Sequence, residues 1–465
     1  MLRLFRVFVP TSIVALLFSE AILIFACYVL SAFLVQEADT FLFFFVEELG
    51  WLRIVFVVFC IMFGVYFHDL YTKLRIRSRV LLLQQISIIV GIAFFTQALL
   101  VYGKRPTWTL PKLVMIVGSG MALVLLPLWR IFYERVAVRA LGRHRILFLG
   151  ESSLVKEISE HLGEHPELGF RAIGYLKNQA EPDSGNPGIP LLGELSDVEA
   201  IVKNFKPDRI VVGMSERRQR LPVDQLLKLR FSGIHIEDAL TTYETTFGRI
   251  CTRELRPSQL IFSAELGPRP KSVLIQSMYS LAFAAVGAIL TFPLMLITAV
   301  LVKVTSPGPI LFRQNRVGLN GAPFMVYKFR SMYVDAEART GAVWAAKDDP
   351  RITPIGKWLR KLRLDELPQF FNVLRGEMSI VGPRPERPEF VELLLESIPY
   401  YPQRLCVKPG ITGWAQINHK YGDTIEDTIT KLEYDLYYIK NLAPALDVYI
   451  MFQTLKTMLL SRGAQ

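Results

Sequence analysis

Apolar residues run unbroken for long stretches in the first third of the chain and once more after residue 277; elsewhere they alternate with polar ones at the short periods of soluble strands and helices. Four early runs, about residues 7–35, 51–67, 80–102 and 113–132, are each long enough to cross about 30 Å of hydrocarbon as a helix. An even number of crossings returns the chain to its starting side. Basic residues then orient it, because lysine and arginine collect on the cytoplasmic side. Arg3 and Arg6 precede the first run, Lys73, Arg75, Arg77 and Arg79 fill the second connection, and Arg130, Arg135, Arg139 and Arg143 follow the fourth. The first connection holds Glu37, Asp39, Glu47 and Glu48 without a cation, and only Lys104, Arg105 and Lys112 in the third argue otherwise. The N-terminus and everything after residue 135 are therefore expected in the cytoplasm. Because the first run continues to about residue 35 without a small-residue cleavage site, it reads as a retained anchor. Glu20 lies inside it, where a carboxylate is costly. It is either a functional group or a protonated or hydrogen-bonded one facing the other helices.

After His144 short β-branched runs alternate with amphipathic windows. Strands are expected at 145–150, 170–176, 208–213 and 233–236, helices at 154–162, 195–204 and 223–231, and a loop rich in Pro, Gly, Asn and Asp at 177–190. This alternation predicts a small doubly wound parallel sheet of Rossmann-like type. Such sheets often hold nucleotides, but the first turn reads Gly150-Glu-Ser-Ser-Leu-Val where Gly-x-Gly-x-x-Gly would be needed. Lys177, not an acid, stands near the end of the second strand. The expectation is a structural or regulatory module, with nucleotide binding left open.

Residues 278–302 form the later apolar run, interrupted by Pro293. A full crossing would put the sheet domain and the carboxylates downstream on opposite sides of the membrane. Both flanks are basic, however, with Arg269 and Lys271 before the run and Lys303, Arg313 and Arg316 after it. A helix that enters the bilayer, breaks at Phe292–Pro293 and leaves by the same face satisfies both observations, since proline removes one backbone bond and kinks the axis. The expected fold is a membrane protein of α plus α/β class. It has four transmembrane helices in 1–138, a Rossmann-like domain in 139–250 and a linker in 251–275. A re-entrant membrane helix in 276–304 then leads to a mostly helical cytoplasmic catalytic domain in 305–465.

Composition narrows the partners. The chain is 51% hydrophobic and carries a net charge of +11, which suits an anionic partner; with such long apolar runs, lipid and phosphorylated substrates come before nucleic acid, which is not expected. Its four cysteines are scattered and imply neither a disulfide framework nor a zinc site.

Candidate chemistry gathers between Arg360 and Pro385. Asp365 and Glu366 are adjacent, with Arg360 and Arg363 upstream and the stiff turn Gly382-Pro383-Arg384-Pro385 downstream. Asp365 is expected to cap a helix at 366–374 with Pro368 in its first turn. The helix N-terminus and the two arginines would then lower its pKa and keep it ionised. Such oxygen ligands suit Mg²⁺, which takes one or two carboxylates and completes its shell with water and phosphate, so Asp365 and Glu366 are metal candidates. Just upstream, Ile355, Trp358, Leu359 and Leu362 against Lys357, Arg360, Lys361 and Arg363 outline a basic amphipathic helix. It suits a membrane surface or a solvated face packed on its own domain. The tyrosine-rich stretch 431–458 is expected to pack on the membrane interface.

Five motifs in order carry a resemblance: Lys328-Phe-Arg330-Ser-Met, Leu364-Asp365-Glu366-Leu-Pro-Gln, Asn372-Val-Leu-Arg-Gly-Glu-Met-Ser, Val381-Gly-Pro-Arg384-Pro, and Lys408-Pro-Gly-Ile-Thr-Gly-Trp-Ala-Gln-Ile-Asn418. Over about residues 270–460 the chain resembles the bacterial polyprenyl-phosphate sugar-1-phosphate transferases. These are the monotopic phosphoglycosyl transferases of exopolysaccharide and O-antigen assembly. Its N-terminal parts resemble their large form. The resemblance implies transfer of a sugar phosphate from a UDP-sugar to undecaprenyl phosphate, with UMP leaving and Mg²⁺ required. It implies Asp365 as nucleophile, forming a covalent phosphosugar, and Glu366 as its partner. Lys328, Arg330, Arg360, Arg363 and Arg384 are expected to contact phosphate or nucleotide. Expected partners are the lipid bilayer of the bacterial inner membrane, downstream glycosyltransferases and a second copy of the chain as a homodimer. One departure stands out. The family's membrane helix often opens with a Lys-Arg pair and an Asp and breaks at Ser-Pro; here the matching residues are Gln276, Ser277 and Ser280, and the break falls at Phe292–Pro293. Two rival readings are a membrane-anchored nucleotide-binding scaffold or regulator of polysaccharide export, and a transporter of the same lipid. Neither the sugar nor the pathway is legible.

Overall fold

The computed structural model describes residues 2–71, 76, 78–102, 108–137, 144–177, 188–214, 221–255, 267–334, 336, 349–419 and 424–460. They divide into two compact units, one built of Phe8–Ala239 with the extreme N-terminus, the other of Leu240–Gln465 with Leu4–Val7. The boundary expected at 250 falls inside the second unit. The one at 138, residues 256–266 of the expected linker, and Lys73, Arg75, Arg77, Lys104, Arg105, Arg139 and Arg143 lie outside the described residues.

In the first unit four apolar helices, Thr11–Val35, Gly50–Phe67, Arg79–Tyr102 and Lys112–Phe132, are each long and apolar enough to cross a membrane. The first begins at Thr11, later than the apolar run, because Pro10 takes the capping position and Val7–Val9 is extended. The four share one core in which Ile24, Ile54, Ile86 and Val114 are fully buried. Close approach is built in: a Cβ on Gly118 would lie 2.4 Å from the Tyr28 ring, and one on Gly64 would lie 2.6 Å from Ile89. Inside this core Glu20 is fully buried and ion-paired, with its hydrogen bonds made at Oε2. Arg130 of the fourth helix holds it through Nε to Oε1 at 2.6 Å and Nη2 to Oε2 at 3.0 Å, and the Tyr71 hydroxyl donates to Oε2 at 2.5 Å. This arrangement favours the hydrogen-bonded reading of Glu20 over a functional one.

The same unit contains a five-stranded sheet in which every neighbouring pair is parallel, in the spatial order Leu191–Glu194, Phe170–Lys177, His144–Leu149, Arg209–Val212, His235–Asp238. Helices Ser153–Glu164, Val198–Phe205 and Val223–Phe231 alternate with the strands as the pattern predicts. The edge strand Leu191–Glu194 was not predicted. It is four residues long and none of its side chains is fully buried, so its sequence carries almost no alternation. The helix Ala239–Phe247, also unpredicted, follows the last strand directly.

The second unit is arranged around Pro270–Thr305, a helix of 36 residues and so about 54 Å long. The interruption expected at Phe292–Pro293 does not end it. Pro293 withholds a single N–H, and the helix continues for three further turns. One stripe, Gln276, Ser280, Ala284, Met295, Thr298 and Val302, is buried, while Leu274, Met278, Phe283, Ile289, Leu290, Ile297 and Val300 on the other faces are exposed. An antiparallel hairpin, Leu311–Val317 with Pro323–Phe329, and a short parallel pair, Ser379–Val381 with Gly410–Thr412, follow along the chain. Among the C-terminal helices Ile425–Lys440 corrects an expectation: Leu432, Leu436, Tyr437 and Tyr438 are core residues, not a membrane face. Both tyrosines turn inward with satisfied hydroxyls, Tyr437 donating to the Arg6 carbonyl and Tyr438 to Asp447, and the Tyr437 ring stacks on Trp414.

Removing one member of a buried ion pair strands the other charge, at a cost of about 3–5 kcal/mol, whereas replacing both with apolar groups is far milder. Arg130→Met is therefore expected to lower the unfolding midpoint of the detergent-solubilised protein sharply, and Glu20→Leu combined with Arg130→Met to recover most of the loss. Equal losses in the single and double variants would mean that Glu20 is not held by this pair.

Candidate active site

The site is assembled from four pieces of the second unit, a hairpin, a helix, the turn that follows it and the turn that carries Arg384. The hairpin runs in register from Leu311 opposite Phe329 to Val317 opposite Pro323, closed by a turn in which Asn320 and Gly321 take positive φ. Along its second strand Val326 and Phe329 are buried, and the half-buried Lys328 lies on the site. The helix Pro354–Lys361 starts with Thr353 accepting from the Gly356 N–H at 3.0 Å and with proline at the first position. A side chain at Gly356 would meet the Ser331 carbonyl at 2.0 Å, which fixes this helix against the hairpin's end. Of the expected amphipathic face, Leu359 packs inward and Trp358 and Leu362 stay exposed.

Arg363 then takes a left-handed conformation, φ 56°, a costly choice for a side chain of its size. It swings the chain into the three-residue turn Leu364–Glu366. Asp365 is therefore in the middle of a 3₁₀ turn, not the cap of a helix. Pro368 has no N–H to extend the turn, so the helix restarts at Gln369–Leu374.

Asp365 and Glu366 are both buried, and their surroundings push them apart. Burial opposes the charge of Glu366, but Lys328, Arg384 and Arg363 outweigh it and hold its pKa well below the usual carboxylate range. Lys328 Nζ lies 2.9 Å and Arg384 Nη2 3.0 Å from Oε1, with Arg363 Nη1 3.8 Å from Oε2. Asp365 is raised instead, first by burial and then by the charge of Glu366, with Lys328, Arg360 and Arg363 offsetting only part. This reverses the expectation of a lowered value. The helix N-terminus assumed for it is absent, and the cations sit closer to its neighbour. Among the described residues Asp365 Oδ1 is a buried oxygen without a hydrogen-bond partner.

Asp365 lies on the wall of a cavity of about 1060 Å³, together with Lys328, Arg360, Arg363 and Arg384. Its arginines and lysines far outnumber its three carboxylates, Asp365, Glu386 and Asp435. Five expected residues are thus brought together at the cavity, with Glu366 bound to two of the same cations. Arg330 also borders it, but its guanidinium is occupied elsewhere. Nη1 donates to the Pro307 carbonyl and Nη2 to the Ser306 carbonyl and hydroxyl, all at 2.7 Å, which closes the C-terminal end of the long helix. Its place there is electrostatic, a cation at a helix C-terminus.

Arg384 is held by its backbone. Pro383 accepts from the Gly410 N–H at 2.9 Å, Arg384 from Arg404 Nη2 at 3.0 Å and Pro385 from Arg316 Nη1 at 3.1 Å. Arg404 is itself clamped by Asp435 at 2.9 Å and by the Tyr401 hydroxyl. Sequence reasoning missed Arg316, Arg404 and Asp435; the surrounding Pro-Arg-Pro turn signals rigidity but not which distant side chains hold it. It also missed Asn372, fully buried, which accepts from the Tyr327 N–H and donates to the Met325 carbonyl.

Residues 271–461 match the bacterial sugar transferase family, and residues 66–237 match a CoA-binding domain family. The chain is 48% identical over 222 residues to the UDP-N-acetylgalactosamine-undecaprenyl-phosphate N-acetylgalactosaminephosphotransferase of Aeromonas hydrophila, a match spanning 48% of this chain and 52% of that protein. It is 34% identical to the UDP-glucose:undecaprenyl-phosphate glucose-1-phosphate transferase of Xanthomonas campestris pv. campestris, over 75% of this chain and 72% of that one. It is 33% identical to the similarly named protein of Escherichia coli K12, over 67% of each.

Because the Arg330 guanidinium closes the helix end, Arg330→Ala is expected to destabilise the fold by about 1.5–3 kcal/mol, the usual worth of a hydrogen bond to a charged group. It should also speed amide hydrogen exchange around residues 302–310. Arg360→Ala should leave exchange there unchanged. Identical exchange in both variants would contradict a capping role.

Proposed function

The chain belongs to the bacterial sugar transferase family, and from that premise we propose that it transfers a sugar 1-phosphate from a UDP-sugar to undecaprenyl phosphate, releasing UMP. The observation that carries this reading is the buried, unpartnered Oδ1 of Asp365 on the wall of a cation-rich cavity. Relatives of the chain are named for this transfer, with either glucose or N-acetylgalactosamine as the sugar.

In the first step Asp365 Oδ1 attacks the phosphorus that bears the sugar, and the bond from that phosphorus to the bridging oxygen breaks. UMP leaves with the electron pair, and an aspartyl phosphosugar remains. In the second step an oxygen of undecaprenyl phosphate attacks the same phosphorus and the Asp365 carboxylate leaves. A general base has little to do, since the lipid phosphate is already an anion at neutral pH. Two steps divide one meeting of two anions into two easier ones. Arg360, Arg363, Lys328 and Arg384 neutralise charge on the transferring oxygens, which is the main catalytic demand of phosphoryl transfer. Glu366 keeps Lys328 and Arg384 in place and, as an anion beside Asp365, strengthens it as a base.

Mg²⁺ suits the site in part. Asp365 Oδ1 is an open oxygen ligand, whereas Glu366 is occupied by cations, and one carboxylate with substrate phosphate and water is a usual Mg²⁺ environment. When bound there the ion would supply further charge neutralisation of the diphosphate.

The long helix favours re-entry over a crossing. Near its start Gln276 donates to the Val381 carbonyl, in its middle Gly287 lies against Phe370, and near its end Val302 accepts from Arg330. Both ends and the centre thus pack on the same unit, while the exposed apolar faces are left for lipid. A crossing would carry one end away from that unit. Trp358, Leu362 and Phe371 are exposed apolar side chains near Lys357 and Lys361 and suit the headgroup layer. With the basic flanks, this supports a bacterial inner membrane protein whose catalytic part faces the cytoplasm.

Purified protein with Mg²⁺, undecaprenyl phosphate and a panel of radiolabelled UDP-sugars is expected to give labelled lipid and UMP with one or a few donors. Asp365→Asn should reduce the rate on the order of a thousandfold or more. Folded wild type that transfers from none of them would overturn the proposal. The pH profile is a separate check. The nucleophile must be ionised, and burial beside Glu366 raises its pKa. Activity should therefore fall as pH drops through a value above the usual carboxylate range. Arg360→Ala removes a cation that opposes the shift and should move this acid limb to higher pH. An acid limb at an ordinary aspartate value, unmoved in Arg360→Ala, would exclude Asp365 as the titrating group.

A further inference from the structure

The family matched by residues 66–237 implies CoA as a ligand of the sheet domain. We infer that this domain does not hold CoA or a dinucleotide by a diphosphate on its first strand–helix turn, because the chain has filled that place with its own ion pair. In sheets that do so, three glycines bend the turn, admit the diphosphate to the backbone and let helix and strand pack closely, and the helix N-terminus binds the anion. The corresponding positions here are Gly150, Ser152 and Val155.

Gly150 keeps the bend, with φ at 92°. The space beside it is closed: a Cβ there would lie 2.4 Å from Met214 Cγ and 3.0 Å from Met214 Cα, and Met214 is 2% exposed. The Gly150 N–H is tied to the Leu176 carbonyl at 2.8 Å and the Gly213 N–H to the Leu149 carbonyl at 2.8 Å, so neither points to a ligand. Ser152 uses its hydroxyl to accept the Val155 N–H at 3.3 Å, occupying a donor of the helix N-terminus. Close packing survives with its partners exchanged: a Cβ on Gly213 would sit 2.1 Å from Val155 Cγ2, so the glycine has moved from the helix to the neighbouring strand.

Between these positions Glu151, 4% exposed, lies 3.0 Å through Oε2 from Lys177 Nζ at the end of the second strand. A diphosphate on this turn would meet a buried carboxylate, and the lysine that could have attracted it is already paired. The turn keeps the backbone of a nucleotide-binding sheet and supplies its own anion.

Full-length protein in detergent, equilibrated with radiolabelled CoA in the presence of excess UDP to cover the cationic cavity, tests this. No saturable UDP-resistant binding is expected. Saturable UDP-resistant binding that is lost in Lys177→Ala would overturn the inference. Amide exchange gives an independent readout on the same preparation without ligand. Residues 150–156 should be protected in the wild type and exchange faster, on the order of tenfold, in Glu151→Gln. Unchanged protection in that variant would show that the ion pair does not organise the turn and would equally overturn it.

Discussion

Two neighbouring carboxylates buried in one turn cannot both be comfortable anions, and the rest of the catalytic unit follows from how that conflict is settled. Charge in a buried site is stabilised only by what stands close to it. Here the cations are shared unequally: Lys328 and Arg384 both reach Oε1 of Glu366, while no hydrogen bond reaches Oδ1 of Asp365 among the described residues. One carboxylate becomes a fixed counter-ion, and the other is a buried group raised above the usual carboxylate range with one oxygen open. The division of two like groups into different roles by environment alone is a recurrent way to build an acid–base or nucleophilic pair. The left-handed Arg363 turns the chain into the 3₁₀ turn that carries both carboxylates.

An unequal distribution of charge is useful only if the cations cannot wander. Proline on either side of Arg384 removes two backbone donors, and the carbonyls of the turn are bound by Gly410, Arg404 and Arg316, which leaves the turn little freedom. Arg404 in turn depends on a buried partner: burial raises Asp435, with Arg404 as the chief opposing influence. The hairpin carrying Lys328 is joined to the helix Gln369–Leu374 by Asn372, whose amide bonds both donate to and accept from it. Positioning is thus carried by neutral and paired groups, Arg316, Arg404 and Asp435 among them on the cavity wall, and that wall still holds more cations than carboxylates.

Much of this was legible from residues alone, and what was not has a common cause. The four apolar helices, the parallel sheet and the cluster of Lys328, Asp365 and Arg384 follow from periodicity and from short motifs, which are local. Errors arose where a local pattern had two tertiary outcomes. Tyr437 and Tyr438 look interfacial by composition but are core residues, because hydroxyl partners on other elements were waiting for them. Arg330 borders the cavity as its motif suggests, but the partners of its guanidinium, Ser306 and Pro307, lie more than twenty residues upstream and were not legible. Asp365 was assigned a helix cap because the sequence could not show that the chain would reverse at Arg363 and restart its helix at Gln369.

The start of the long helix is held to the rest of its unit by hydrogen bonds from neutral donors. Where the family often has basic residues, this chain has Gln276, whose amide donates to the Val381 carbonyl at 3.2 Å and to Asp447 at 2.9 Å. Tyr279 and Tyr438 give their hydroxyls to the same carboxylate. Burial raises Asp447 to about 6, and these three neutral donors only partly oppose it. Hydrogen bonds therefore anchor this end of the helix. An amide and two phenols can hold the helix here because each donor has a single buried acceptor and no competing water, the condition under which an unmade bond is expensive. Val381 immediately precedes Gly382-Pro383 of the turn of Arg384, so the long helix is fixed directly beside that turn.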